Sequence, residues 1–149
     1  MESVRIIEIP ECKVVSSGVG MFGDGTLEKF DEWFSALPHS IYPKDFLYWD
    51  SSSEEKQGFH WLYLYEEGLN VPAEFDIIDF RGGLYAVATG IDQQTDMDTM
   101  KAEIHAFLLQ HGFYWDETRP SLGHVITSPI TRETLGYDQM NYWFPIKAK

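Results

Sequence analysis

Two periods alternate along this chain. Residues 4–9 and 13–17 are apolar and β-branched runs interrupted by Pro10 and closed by Gly18, which predicts two strands joined by a tight connection. The period then lengthens. Leu27, Phe30, Phe34 and Leu37 recur at helical spacing, predicting a helix that begins near Thr26, as N-cap, and stops before Pro38. After Pro43, residues 46–50 read as a short aromatic strand and residues 51–58 as a polar loop. Residues 59–66 then form a strand with Phe59, Trp61, Tyr63 and Tyr65 at alternate positions.

The second half repeats this order. Residues 75–80 and 84–89 are β-prone pieces around Arg81-Gly82-Gly83, closed by Gly90. Met97, Met100, Ile104, Phe107 and Leu108 mark a second helix, with Thr95 or Asp96 as its cap and Gly112 as its stop. Beyond Pro120, residues 121–127 and 141–146 complete the set. Ile6-Ile7-Glu8-Ile9 matches Ile77-Ile78-Asp79-Phe80 at an offset of about 71, and Gly18 matches Gly90 at about 72. Pro43 likewise stands against Pro120. The chain therefore reads as one α+β domain, residues 1–149, built from two strand-helix-strand-strand repeats, about 1–70 and 73–149. The repeats should form a mostly antiparallel sheet, with two main helices on one face and a ligand groove on the other.

Composition narrows the function. Twenty-four acidic residues against 11 basic ones give a net charge of -13, which works against binding a phosphate backbone and favours cations near the surface. Direct nucleic-acid binding is not expected. A single cysteine, Cys12, allows no internal disulfide. The start of the chain has no basic-then-apolar leader pattern, and no apolar run is long enough to span a bilayer, so a cytoplasmic setting without membrane insertion is expected. Aromatics are abundant, at 15% of residues, and Tyr and Trp offer an apolar body with a polar tip.

The strand at 59–66 carries apolar or aromatic side chains on both faces, so both faces are covered, by core alone or by a helix and a ligand. Tyr48 and Trp49, with Tyr142 and Trp143, extend an aromatic wall, and ring faces attract cations. Glu66 and Glu67 at the strand end, and Asp138 before the last strand, are carboxylates near that wall. His39, His60, His105, His111 and His124 include no pair at metal-ligand spacing, so neither a metal nor a cofactor is expected. Cys12 has no neighbouring base to activate it. The glycine-rich stretch Gly18, Gly20, Gly23 and Gly25 lacks the lysine and spacing of a phosphate cradle, and Asp24 would repel phosphate. It reads as a connecting loop.

Val4-Arg5-Ile6-Ile7-Glu8-Ile9-Pro10, Gly82-Gly83-Leu84-Tyr85-Ala86-Val87 and Tyr142-Trp143-Phe144-Pro145-Ile146-Lys147, in this order, resemble the GyrI-like small-molecule-binding domains. Such domains also serve as effector-binding domains of AraC-type and MerR-type multidrug regulators. The resemblance covers nearly the whole chain and implies a bacterial, stand-alone member that takes bulky, aromatic, often cationic compounds between its halves. It implies two further roles known among such domains: hydrolysis of cyclopropane-bearing DNA-alkylating compounds, and modulation of gyrase or a regulator through protein contacts. One departure matters. Leu122-Gly123-His124-Val125 places Gly123 where many members carry a glutamate that pairs with cationic ligands, and a protonated His124 beside it would disfavour a cation.

The leading expectation is a binding protein for xenobiotics, linked to sensing or sequestration, whose site is Tyr48, Trp61, Tyr63, Glu66, Tyr142 and Trp143. In the hydrolytic alternative Glu66 orients water and a tyrosine polarises the leaving oxygen. In the third reading the acidic surface meets a protein partner.

Overall fold

The computed structural model describes residues 3–149. Its elements follow the predicted order, with two additions. They are β1 (Arg5–Ile9), β2 (Cys12–Gly20), α1 (Thr26–Ser35), β3 (Asp45–Asp50), β4 (Gly58–Leu64), β5 (Asp76–Phe80), β6 (Gly83–Ile91), α2 (Met97–His111), β7 (Phe113–Trp115), β8 (Leu122–Val125), α3 (Pro129–Leu135) and β9 (Gln139–Ala148). The fold is α+β, and the strand pairs described are antiparallel. No helix among the described residues is long and apolar enough to cross a membrane.

The chain divides into two compact units whose limits differ from those of the sequence repeats. One is Glu11–Arg81; the other is Gly82–Lys149 together with the chain up to Pro10. The reason is an exchange of leading strands. In the first unit the order is β5-β2-β4-β3, so the opening strand of the second repeat lies against β2. In the second unit β1 lies against β6, β6 against β9, and β9 carries both β8 and β7 along its other edge. The matching runs at 6–9 and 77–80 thus occupy matching edges of opposite units.

Within Glu11–Arg81, α1 covers one face of the strands. Its N-cap is Gly25, one residue before the expected Thr26, with a positive φ of 96°. The Glu28 carboxylate accepts from the Gly25 amide at 2.9 Å, and Asp24 accepts from Thr26 at 2.8 Å, satisfying amides that the first turn leaves open. Val15, Phe30 and Phe75 form the buried centre, packed by Trp33, Phe34, Trp61, Tyr63 and Tyr65. In the other unit α2 is capped by Asp96 and ends at Gly112, as its sequence predicts. It packs Met100, Ile104 and Leu108 onto Ala86, Ala88, Phe144 and Ile146. That unit is also tied by Arg119, whose guanidinium donates to the carbonyls of Gly82, Leu84 and Ile146 and to Asp116. Gly83 leaves it room, since a Cβ there would lie 2.5 Å from the guanidinium.

Candidate functional site

Strand alternation sorts the expected site residues onto two faces of each unit. In Glu11–Arg81, Phe59, Trp61 and Tyr63 turn toward α1. Trp61 meets Phe34 edge-on at 5.1 Å and Phe30 at 6.2 Å, and its indole donates to Asp45 at 3.0 Å. Tyr63 packs between Trp33 and Phe34, at 5.6 and 5.5 Å. Both are therefore built into the packing under α1. Tyr142 plays the same part beside α2. Tyr48 and Trp143 lie on the opposite faces of their strands, Trp143 edge-on to Tyr85 at 5.8 Å and to His124 at 6.1 Å. Glu66 lies beyond the end of β4, where its exposed carboxylate takes the Lys44 ammonium at 2.8 Å. Of the six expected residues, the first unit brings only Tyr48 to its face turned away from α1.

That face carries chemistry the sequence reading missed. Tyr48 and His60 are directly paired across β3 and β4, so their side chains share a face with Asp50 and with Leu62. The Tyr48 ring stacks on the imidazole at 5.0 Å and 23°. His60 Nδ1 lies 3.1 Å from Asp50 Oδ2 and 2.9 Å from the Tyr48 hydroxyl, while His60 Nε2 meets Ser16 Oγ in a short hydrogen bond. For a neutral imidazole, the contact with Asp50 puts the proton on Nδ1, and Nε2 then accepts from the Ser16 hydroxyl. Four side chains from three strands form one connected chain.

Ser16 pairs with Leu62 just before a bulge. The β2–β4 register slips by one residue between Ser16 and Val19, and Gly18 takes a φ of 76°. Turned out of the ladder, the Gly18 amide donates to Ser16 Oγ at 3.1 Å. Ser16 is 4% exposed, and the His60 and Asp50 side chains are 12% exposed each. Burial pushes the Asp50 carboxyl up, but the Ser52 hydroxyl and amide, with His60, outweigh it and hold it at about 2. Burial, then the Asp50 charge and the hydrogen bond to it, pushes the Tyr48 phenol up to about 12. A neutral phenol and an ionised carboxylate thus flank the imidazole at neutral pH.

The signal for this chain was present in the alternation itself. Tyr48, Asp50 and His60 fall on one strand face once residues 46–50 and 59–66 are paired as a hairpin. Ser16 joins them because it pairs with Leu62, and that pairing of β2 with β4 lies between strands distant in sequence, which alternation does not give. In the other unit, a cavity of about 290 Å³ opens between the start of α2 and β6, lined by Thr89, Thr95, Asp96, Thr99 and Glu103 among others. None of the six expected residues lines it. No group of three or more potential metal-ligating side chains occurs among the described residues.

No sequence-family model and no curated protein matches the chain. Solved structures do. A hydrolase from Listeria innocua superposes with a TM-score of 0.67 at 11% identity, over 97% of this chain and 92% of that one. The C-terminal domain of EcmrR superposes at 0.60 with 14% identity over 98% of each chain. This chain spans 57% of the EcmrR chain in its complex with DNA. SAV2435 bound to tetraphenylphosphonium superposes at 0.51 with 14% identity, over 99% of this chain and 94% of that one. At such identities the likeness is one of fold, and the fold is the GyrI-like one.

Proposed function

We propose that this chain binds a bulky hydrophobic or aromatic small molecule, lipophilic cations included, on the face of the Glu11–Arg81 unit turned away from α1. The observation that carries the reading is the Asp50 carboxylate, largely withdrawn from water and held ionised beside the stacked Tyr48 and His60 rings. An anion in such surroundings attracts a cation far more than one on the open surface, and ring faces add to that attraction. Asp50 supplies the countercharge that Gly123 cannot, whereas Glu66 is engaged with Lys44. The fold shared with SAV2435, whose bound tetraphenylphosphonium is an aromatic cation, supports the same class of ligand. In a bacterial cell such a protein would sequester or sense xenobiotics.

Titration with tetraphenylphosphonium and a panel of cationic dyes, followed by tryptophan fluorescence, tests this. Saturable quenching is expected. Asp50→Asn should weaken it about tenfold, the equivalent of 1.4 kcal/mol. Absence of saturation by every compound would sink the reading.

A further inference from the structure

Ser16, His60 and Asp50 stand in the order and hydrogen-bonding pattern that activates a serine hydroxyl. We propose that Ser16 is a nucleophile that accepts acyl groups from small esters, with His60 as its base and Asp50 as the positioning residue. This activity rests on the same face of the sheet admitting a small molecule, and goes beyond binding it.

The geometry assigns each role. With Nδ1–H directed at Asp50, neutral His60 turns the lone pair of Nε2 to the Ser16 hydroxyl, so the base stands within hydrogen-bond reach of the proton it must take. Asp50, 3.1 Å from Nδ1, fixes the tautomer that leaves Nε2 free to accept and stabilises the imidazolium that forms. In the first step Ser16 Oγ bonds to the ester carbonyl carbon while its proton passes to Nε2. The carbon–oxygen bond to the leaving alkoxide then breaks, and His60 returns the proton to that oxygen, releasing an alcohol. In the second step His60 takes a proton from water, the hydroxide adds to the acyl carbon, and the bond to Ser16 Oγ breaks. The proton returns to Ser16 and a carboxylic acid leaves. The Gly18 amide donates to Ser16 Oγ at 3.1 Å and so holds the hydroxyl oxygen in place while its proton faces His60.

The surroundings set the substrate class. Val14 and Leu62, both buried, flank Ser16 on the same face, Leu62 directly opposite it across β4. With Ser16 itself 4% exposed, the acyl group must be small and apolar. The titratable groups that face His60 are Asp50 and Tyr48 from β3, while β2 brings the uncharged Ser16.

The full chain is treated with phenylmethanesulfonyl fluoride, which loses fluoride as Ser16 Oγ bonds to sulfur, and the modified peptide is located by mass spectrometry. One adduct, on Ser16, is expected, forming faster as the pH is raised from acid to neutral. His60→Gln should slow it about a hundredfold. Asp50→Asn should slow it roughly tenfold or more and flatten its pH dependence, with Asp50→Glu restoring part of both. Each variant is checked for native circular dichroism. The wild-type pH profile stands whether or not a variant folds. No adduct, an adduct on Ser17, or a rate indifferent to His60→Gln overturns the proposal. Tetraphenylphosphonium is titrated in the same preparation. Binding without an adduct ends the nucleophile and leaves the binding reading standing; an adduct without binding does the reverse.

Discussion

The two units share a strand frame but place different chemistry at matching positions. In one, Ser16 faces Leu62 across β2 and β4, and Tyr48 faces His60 across β3 and β4; in the other, Val87 faces Trp143 and His124 faces Asn141. The β6–β9 ladder runs unbroken from Leu84 to Ile91, whereas the β2–β4 ladder slips at Gly18. Where the slipped ladder gives a chain of hydroxyl, imidazole and carboxylate, the unbroken one holds the Asn141 amide between Thr89 at 2.7 Å and Arg5 at 2.9 Å. The first of these hydrogen-bonded sets holds a carboxylate, and the second a guanidinium. The pairing before the slip is alike in both units, so the difference lies in which side chains stand at the paired positions. A duplicated frame can thus keep its strand pairing and carry different polar groups in its two halves.

The cores differ as well. Beneath α1 the packing is aromatic, and beneath α2 it is mostly aliphatic. Phe30, fully buried, touches the rings of Trp33, Phe34, Trp61 and Phe75 at 5.0 to 6.2 Å. Flat rings held edge to face cannot close over a missing neighbour as aliphatic side chains can. Phe30→Ala is therefore expected to cost about 3–5 kcal/mol, the largest effect considered, against about 1 kcal/mol for Ile104→Val beneath α2. Urea denaturation measures both. A loss at Phe30 no larger than that at Ile104 would mean that the ring is not held by the packing around it.

This contrast also explains what the sequence could and could not disclose. Helical spacing found both main helices, and the matched runs at 6–9 and 77–80 found the duplication, because burial on one face imposes a period on each element. The exchange of β1 and β5 left no mark on that period, since a strand pairs equally well with either repeat's partner. The two short additions, β7 and α3, hold too few residues to show a period at all. The aromatic excess was legible, but its destination was not. Trp61 and Tyr63 alternate with His60 and Leu62, and only the position of α1 decides which set is core. Glu66 looked available because its partner, Lys44, lies 22 residues away in sequence.

The two matching networks differ in what acid does to them. The Asp50 carboxyl, ordinarily near 3.8, is held at about 2, so its contribution to stability is complete above the ordinary value and is lost as pH falls through about 2. Its counterpart network, built on Asn141, contains no carboxylate among the contacts described. Asp116 is also held low, by Thr118 first and then Arg119, so the whole chain titrates more than one group. Asp50→Asn isolates the one of interest. The difference in stability between wild type and variant should shrink between pH 4 and pH 2, followed by circular dichroism. A difference that stays constant over that range would mean that Asp50 is not held ionised by Ser52 and His60.

The smallest effect lies at the alkaline end and concerns the ring that shields His60. Burial first, and then the Asp50 charge, raises the Tyr48 phenol from 10 to about 12, so the fold favours its protonated form. That contribution is complete below pH 10 and disappears as pH rises through about 12. The ultraviolet absorbance of tyrosinate should therefore show one late-ionising phenol that Tyr48→Phe removes. Tyr63 and Tyr142 are raised as well, burial being the leading cause in each, so the assignment rests on that variant and not on lateness alone. Asp50→Asn separates the causes. It removes the charge and leaves the burial, so the late ionisation should move down only part of the way toward 10. A complete return would make the carboxylate the dominant cause, and Tyr48 would then be far better solvated than its stacking on His60 requires.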